Sequence, residues 1–124
     1  MIDKIAFTHY SITDMDRSVD FYKNILGLNL LFRRDEWTEF SIGGQRFALH
    51  KVDSVAQPKD AGGAIVSLEA KQIKNTIAFL KERGVRFVQD LQEFPYGKMA
   101  VFLDPDNNMV GLYEAPKRKN VGMG

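Results

Sequence analysis

The alternation of apolar and polar positions in the first half of the chain predicts a strand, a helix and three further strands. Residues 4–12 alternate as a strand does, and Asp14 just beyond them can cap a helix. Apolar residues then recur at the spacing of one amphipathic helix of about three turns, which ends at Gly27. The pattern next predicts strands at residues 28–33, 37–42 and 46–52. This half therefore has the order βαβββ.

The second half repeats this order. A strand is predicted at residues 64–68, a helix ends near Gly84, and three strands follow at residues 85–91, 99–103 and 109–113. Phe79-Leu80-Lys81 in the second helix matches Phe21-Tyr22-Lys23 in the first. The sequence thus predicts an α+β fold made by duplication within a single domain. Its parts are module one (4–52), a linker (53–62), module two (63–115) and a tail (116–124).

Composition and charge narrow the classes of partner and site. The chain has 124 residues, of which 44% are hydrophobic and 27% charged, as in an ordinary globular domain. The 17 basic and 16 acidic residues nearly cancel, so we expect no nucleic-acid partner. There is no cysteine, which excludes disulfides and thiolate metal sites. No apolar run of about 18 residues and no signal-like start are present, so we expect a cytoplasmic protein without a membrane partner.

Two stretches carry a family likeness: residues 12–28, ITDMDRSVDFYKNILGL, and residues 102–108, FLDPDNN. Together and in this order they resemble the vicinal oxygen chelate superfamily, which includes glyoxalase I, bleomycin-resistance proteins and extradiol dioxygenases. The likeness extends over roughly residues 4–115. It implies that the two modules pair into an open, barrel-like sheet around a cavity for one small molecule. It also implies a homodimer, with the modules paired either within one chain or between two.

The resemblance also identifies where a metal is held in the metal-dependent members. Four side chains hold it there, one each from the first and fourth strands of each module. Carried over to this sequence, those positions are Phe7, Ala48, Gly63 and Gly111. None of them has a side chain that ligates a metal. The resemblance is therefore nearest to the metal-free, bleomycin-resistance-like members, and we predict neither a metal nor another cofactor.

The two histidines of the chain lie two residues beyond two of these positions. Because side chains on a strand alternate, His9 and His50 are predicted to share the cavity face with Phe7 and Ala48. The first and fourth strands of such a module are parallel neighbours, so the two imidazoles are expected to lie close together. Three interpretations stay open: ligand binding, a metal held with a third ligand such as Glu39, and a purely structural role.

Further residues complete the predicted site. By the same alternation Trp37, Glu39 and Ser41 face the cavity, whereas Phe40 and Ile42 face the helix. Arg33 and Arg34 end the second strand, and they either bind an anionic group at the cavity mouth or belong to a solvated turn. In module two, Ile65 and Tyr113 occupy the positions that correspond to His9 and His50, and they are expected to complete the same layer of side chains in the cavity. The loop Phe94-Pro95-Tyr96-Gly97 is expected to cross the cavity mouth, and Asp104-Pro105-Asp106 to form a turn.

The sequence favours a small-molecule-binding protein without the family's metal site, with a small, partly aromatic ligand in the cavity. Its predicted ligand-binding residues are His9, His50, Trp37, Glu39, Tyr113, Phe7, Ile65 and Arg33. The alternative is an enzyme of the lyase, isomerase or dioxygenase type. In that case His9 and His50 act as metal ligands or as acid and base.

Overall fold

The computed structural model describes residues 1–55 and 65–117, and it confirms the predicted α+β fold with two four-stranded sheets. The first half contains β1 (Thr8–Ile12), α1 (Met15–Val19), a π-helical segment (Asp20–Ile25), β2 (Asn29–Arg33), β3 (Trp37–Ile42) and β4 (Gln45–Lys51). The second half contains β5 (Val66–Glu69), α2 (Ile73–Glu82), β6 (Phe87–Phe94), β7 (Gly97–Leu103) and β8 (Met109–Glu114). Both sheets are open and neither closes into a barrel.

The described residues form two compact units. The first unit contains residues 1–55 and 103–108, and the second contains residues 65–102 and 109–117. The turn at residues 103–108, which belongs to the second half of the sequence, therefore groups with the first unit. The metal position carried over to Gly63 lies outside the described residues, as do most of the linker predicted at 53–62 and most of the tail predicted at 116–124.

The sheet of the first unit has two faces of different character. Its strand order is β1-β4-β3-β2, with β1 parallel to β4 and the other neighbours antiparallel. On one face, the rings of Phe40 and Phe47 lie 6.2 and 5.2 Å from the ring of Tyr22 in the π-helical segment. Tyr22, Phe40 and Leu49 are fully buried on this side. Since side chains alternate along a strand, the sequence neighbours of Phe40, Phe47 and Leu49 lie on the other face of the sheet.

The predicted first helix begins where the sequence indicates and then changes its geometry. The Asp14 side chain accepts a hydrogen bond from the Arg17 backbone N–H at 3.1 Å, which is the predicted cap. After Val19 the helix widens, and the Leu26 N–H reaches back five residues to the Phe21 carbonyl. The structure thus has the predicted amphipathic helix, but its second part is π-helical. No helix among the described residues has the length and hydropathy needed to cross a membrane.

The second unit repeats the strand arrangement. Its order is β5-β8-β7-β6, with β5 parallel to β8 and β6 antiparallel to β7. The loop expected at residues 94–97 is instead a tight hairpin, because Phe94 and Gly97 pair as the last and first residues of β6 and β7. The Phe94 and Tyr96 rings stack at 5.0 Å, and Gly97 has a φ of 140° that other residues rarely adopt.

The turn after β7 is bound to the first unit by buried carboxylates. Asp104 accepts hydrogen bonds from the Tyr22 hydroxyl at 2.7 Å and from the Asn108 side-chain amide at 2.9 Å. Asp106 accepts from the Thr13 hydroxyl at 2.6 Å and from the Arg17 guanidinium at 3.1 Å. The acidic turn therefore has a structural role in attaching residues 103–108 to the helical segments of the first unit.

Candidate functional site

The face of the first sheet that points away from the helix carries most of the predicted site residues. In the register of the sheet, His9 pairs with Ala48, Trp37 with His50, Glu39 with Ala48, and Ser41 with Arg46. Paired residues point to the same side of a sheet. We call this side the histidine face and define it by seven residues, namely Phe7, His9, Trp37, Glu39, Arg46, Ala48 and His50.

Four rings on the histidine face form one contiguous cluster. The His9 and His50 ring centroids are 6.0 Å apart, and Trp37 lies 5.6 Å from His9 and 5.7 Å from His50. Phe7 meets the indole edge-on at 5.2 Å and lies 5.8 Å from His9. His9 is exposed, and Phe7, Trp37 and His50 are half-buried. The cluster thus offers both π surface and imidazole nitrogens to a ligand.

A buried carboxylate lies beside this cluster. Glu39 is only 4% exposed, and it accepts hydrogen bonds from Arg46 Nε and Nη2, each at 2.8 Å. It also accepts the Trp37 indole N–H at 2.8 Å. The hydrogen bonds from Arg46, and after them the one from Trp37, lower the pKa of Glu39 despite its burial. Glu39 therefore stays ionised and holds the indole and the guanidinium in fixed orientations.

The other three predicted site residues are Arg33, Ile65 and Tyr113, and none of them belongs to the histidine face. Arg33 pairs in the sheet with Thr38, which is buried against Met15 on the helix side, and its guanidinium forms an ion pair with Asp16. Ile65 and Tyr113 belong to the second unit. Ile65 precedes β5 and is 37% exposed, and the Tyr113 hydroxyl donates to the Tyr96 carbonyl at 2.7 Å. Of the eight predicted residues, the structure thus brings together Phe7, His9, Trp37, Glu39 and His50.

The residues present do not fit the metal site of the superfamily. Phe7, Ala48 and Gly111 have no side-chain atoms that ligate a metal, and a Cβ at Gly111 would lie 2.5 Å from Ser67 Oγ. The described residues contain no group of three histidines or carboxylates placed to hold a metal ion. Glu39, the predicted third ligand for His9 and His50, is already occupied by Arg46 and Trp37.

Arg46 is the residue of the histidine face that the sequence analysis missed. Its Cζ lies 5.6 Å from the Phe7 ring centroid, and about half of its side chain is exposed. The sequence does indicate its position, because Arg46, Ala48 and His50 are spaced two residues apart on one strand and therefore point to the same face. It was overlooked because an arginine beside a hairpin is usually a solvated residue.

Comparisons with known proteins agree on the fold. The family model described as Glyoxalase/Bleomycin resistance protein/Dioxygenase superfamily matches residues 3–112. The metallothiol transferase FosB of Staphylococcus saprophyticus is 24% identical over 117 residues, which cover 91% of this chain and 78% of that protein.

Solved structures have the same architecture. The fosfomycin resistance protein FosX from Listeria monocytogenes superposes with a TM-score of 0.77 at 18% identity, covering 94% of this chain and 96% of that one. The antibiotic binding protein TnmS3 from Streptomyces sp. CB03234 has a TM-score of 0.67 at 25% identity, covering 94% of this chain and all of the other. These likenesses support the α+β fold of two similar modules.

Proposed function

Because the chain belongs to the Glyoxalase/Bleomycin resistance protein/Dioxygenase superfamily, we propose that it binds a small, partly aromatic molecule on its histidine face without the metal that other members use. The observation that carries this proposal is the ring cluster of Phe7, His9, Trp37 and His50. This cluster is built around positions where metal-dependent members have ligands. Here those positions supply apolar surface instead.

The chemistry of the face suits a flat ligand. The only donor of the Trp37 side chain is bound to Glu39, so the indole can offer a ligand only its π surface. His9 and His50 add further ring surface, and each imidazole can also donate or accept a hydrogen bond. A ligand that stacks on the rings and bonds to one imidazole would use both properties. Such a combination of apolar surface with a few polar groups is typical of small-molecule sites.

The relatives support binding and catalysis to different degrees. TnmS3 is described as an antibiotic binding protein and is 25% identical to this chain, which favours binding without chemistry. FosB is described as a metallothiol transferase, which is an enzyme. The donor-free residues Phe7, Ala48 and Gly111 favour the first of these two models for this chain. A homodimer is part of the proposal, and native mass spectrometry would measure its subunit number.

The experiment is a titration of the metal-free protein. After treatment with EDTA, the protein is titrated with 2-naphthamide by calorimetry, and the NMR signal of the single indole N–H is followed. We expect saturable binding that shifts this signal. Trp37→Ala should weaken binding roughly tenfold, since aromatic contacts contribute about 0.5–1.5 kcal/mol beyond the area they bury. Phe79→Ala removes another exposed ring, in α2 of the second unit, and should leave the affinity unchanged.

Two results would contradict the proposal. One is binding that appears only after Zn²⁺, Mn²⁺ or Fe²⁺ is added to the EDTA-treated protein. The other is equal affinity in the native protein and Trp37→Ala, which would place the ligand away from the histidine face. Native mass spectrometry of the protein as purified adds an independent measurement, because a retained organic molecule and a retained metal differ in mass.

A second candidate function is proton transfer by the histidine pair. The 6.0 Å separation of the His9 and His50 rings favours it, because neighbouring imidazoles can act as acid and base on one substrate. His9→Ala or His50→Ala would then abolish turnover while the fold remained intact. Full activity of both variants on an identified substrate would exclude this candidate.

A further inference from the structure

The guanidinium of Arg46 is held by Glu39 along one edge only. Nε and Nη2 each donate to the carboxylate at 2.8 Å, which is a side-on pairing. A guanidinium has five N–H donors, so the outer edge formed by Nη1 and the second hydrogen of Nη2 is not used by this pair. Among the described residues no acceptor bonds to Nη1. The side chain is 51% exposed, so a ligand can reach that edge.

From this geometry we infer that the ligand is an aromatic acid whose carboxylate binds the outer edge of Arg46 while its ring lies on the histidine face. The inference rests on the proposed function and specifies the chemical class of its ligand. Two parallel N–H donors in a plane match the two oxygens of a carboxylate. A neutral amide of the same shape offers only one acceptor to that edge.

The position of Arg46 connects the charged group to the ring cluster. Its Cζ lies 5.6 Å from the centre of the Phe7 ring, and Phe7 lies 5.2 Å from Trp37. A molecule with its carboxylate on Arg46 therefore has aromatic surface next to its own ring.

Glu39 determines how this recognition works. It balances the charge of Arg46, so the pair attracts an anion less strongly than a free arginine would. It also fixes the plane of the guanidinium, which lowers the entropy lost when a second carboxylate binds. Recognition should therefore depend on the two-pronged geometry more than on net charge. Lysine, which keeps the charge without the planar fork, should be a poor replacement for Arg46.

The test compares 2-naphthoate with 2-naphthamide, which have the same ring and nearly the same shape. Calorimetric titration of the metal-free protein should show that the acid binds about tenfold more tightly than the amide. A tenfold ratio corresponds to about 1.4 kcal/mol, and charge-assisted hydrogen bonds contribute at least that much. Arg46→Lys should reduce the preference to less than about threefold.

Two further variants keep the test conclusive. Arg46→Met alone would leave Glu39 as a buried, unpaired charge and destabilise the fold, so the double variant Glu39→Gln/Arg46→Met is used instead. It should also lose the preference for the acid. Arg33→Met removes the same charge from the helix side of the sheet and should keep the preference.

The outcomes separate this inference from the proposed function. Equal affinity of the wild-type protein for acid and amide would overturn the role of Arg46 and leave ring binding intact. A preference that survives in Arg46→Lys and in the double variant, or that is lost in Arg33→Met, would overturn it as well. If neither compound binds, the proposed function fails, and the inference fails with it.

Discussion

The buried hydrogen bond between Tyr22 and Asp104 gives the most quantitative prediction. The tyrosine is fully buried, Asp104 is 2% exposed, and the hydroxyl donates to Oδ2 at 2.7 Å. Tyr22→Phe removes this donor and keeps the ring, which lies 5.2 Å from Phe21 and from Phe47. A hydrogen bond to a charged group contributes about 1.5–3 kcal/mol. Because Asn108 still donates to the same oxygen, we expect a loss of about 2 kcal/mol at neutral pH.

Asp104 determines how the stability cost of Tyr22→Phe changes with pH. Burial raises the pKa of this carboxyl, and the hydrogen bonds from Asn108 and Tyr22 oppose that rise. A carboxyl with a raised pKa takes up its proton more readily in the folded state, so its contribution to stability falls as the pH rises from the unfolded pKa through the folded one. Once Asp104 is protonated, Tyr22 faces a neutral partner. The cost of Tyr22→Phe should therefore be smaller below that window than above it.

Urea unfolding followed by fluorescence measures this effect, because the single tryptophan, Trp37, lies in the same unit as Tyr22 and Asp104. Tyr96→Phe is the matched control, since Tyr96 is 61% exposed and its substitution should change stability by less than about 0.5 kcal/mol. The reasoning is refuted if Tyr22→Phe costs no more than this control. It is also refuted if the cost of Tyr22→Phe increases on acidification.

Three further predictions concern single side chains. Glu39→Gln should lower stability, because the lowered pKa of Glu39 in the folded state means that its ionised form stabilises the fold. This contribution is present above the unfolded pKa of the carboxyl and is lost as the pH falls through the folded pKa. The free energies of unfolding of the two proteins, measured with urea, should therefore converge in acid. Gly111→Ala should cost about 1–3 kcal/mol because its Cβ meets Ser67 Oγ, and thermal unfolding of the double variant with Ser67→Ala should show partial recovery. Gly97→Ala should cost more stability than Gly111→Ala and largely prevent folding, as judged by circular dichroism, since its Cβ would overlap the Tyr113 ring and lie 2.7 Å from the Glu114 carbonyl oxygen.

The fold could be predicted from the sequence because its signals are local. Alternation placed β3 at its observed residues, and Asp14 and Gly27 mark the ends of the first helical segment. The widening of the helix after Val19 could not be predicted in this way, since the same apolar residues also satisfy a regular α-helix. The hairpin at Pro95-Tyr96 was missed because turn residues indicate a loop without giving its length.

The site was predictable only as far as it depends on the alternation of side chains along each strand, here called the strand phase. Phase alone puts His9, His50, Trp37 and Glu39 on one face, and the structure has them there. Phase does not reveal which polar groups bind each other. The pairing of Glu39 with Arg46 depends on the register of β3 against β4, and the ion pair of Arg33 with Asp16 depends on where the helix lies over the sheet.

The pairing of Glu39 with Arg46 also changes what the histidine face can recognise. A buried carboxylate with no partner would take up a proton or attract a cation, which would favour a metal or an amine. Bound by Arg46 and Trp37, Glu39 has a lowered pKa and no free oxygen edge for a cation, and its charge instead fixes these two groups, which a ligand can use. Under the proposed function the rings would supply affinity for flat molecules in general, whereas the outer edge of Arg46 would distinguish acids from neutral compounds. Selectivity on this face would therefore depend on the pair of Glu39 and Arg46, and not on either histidine.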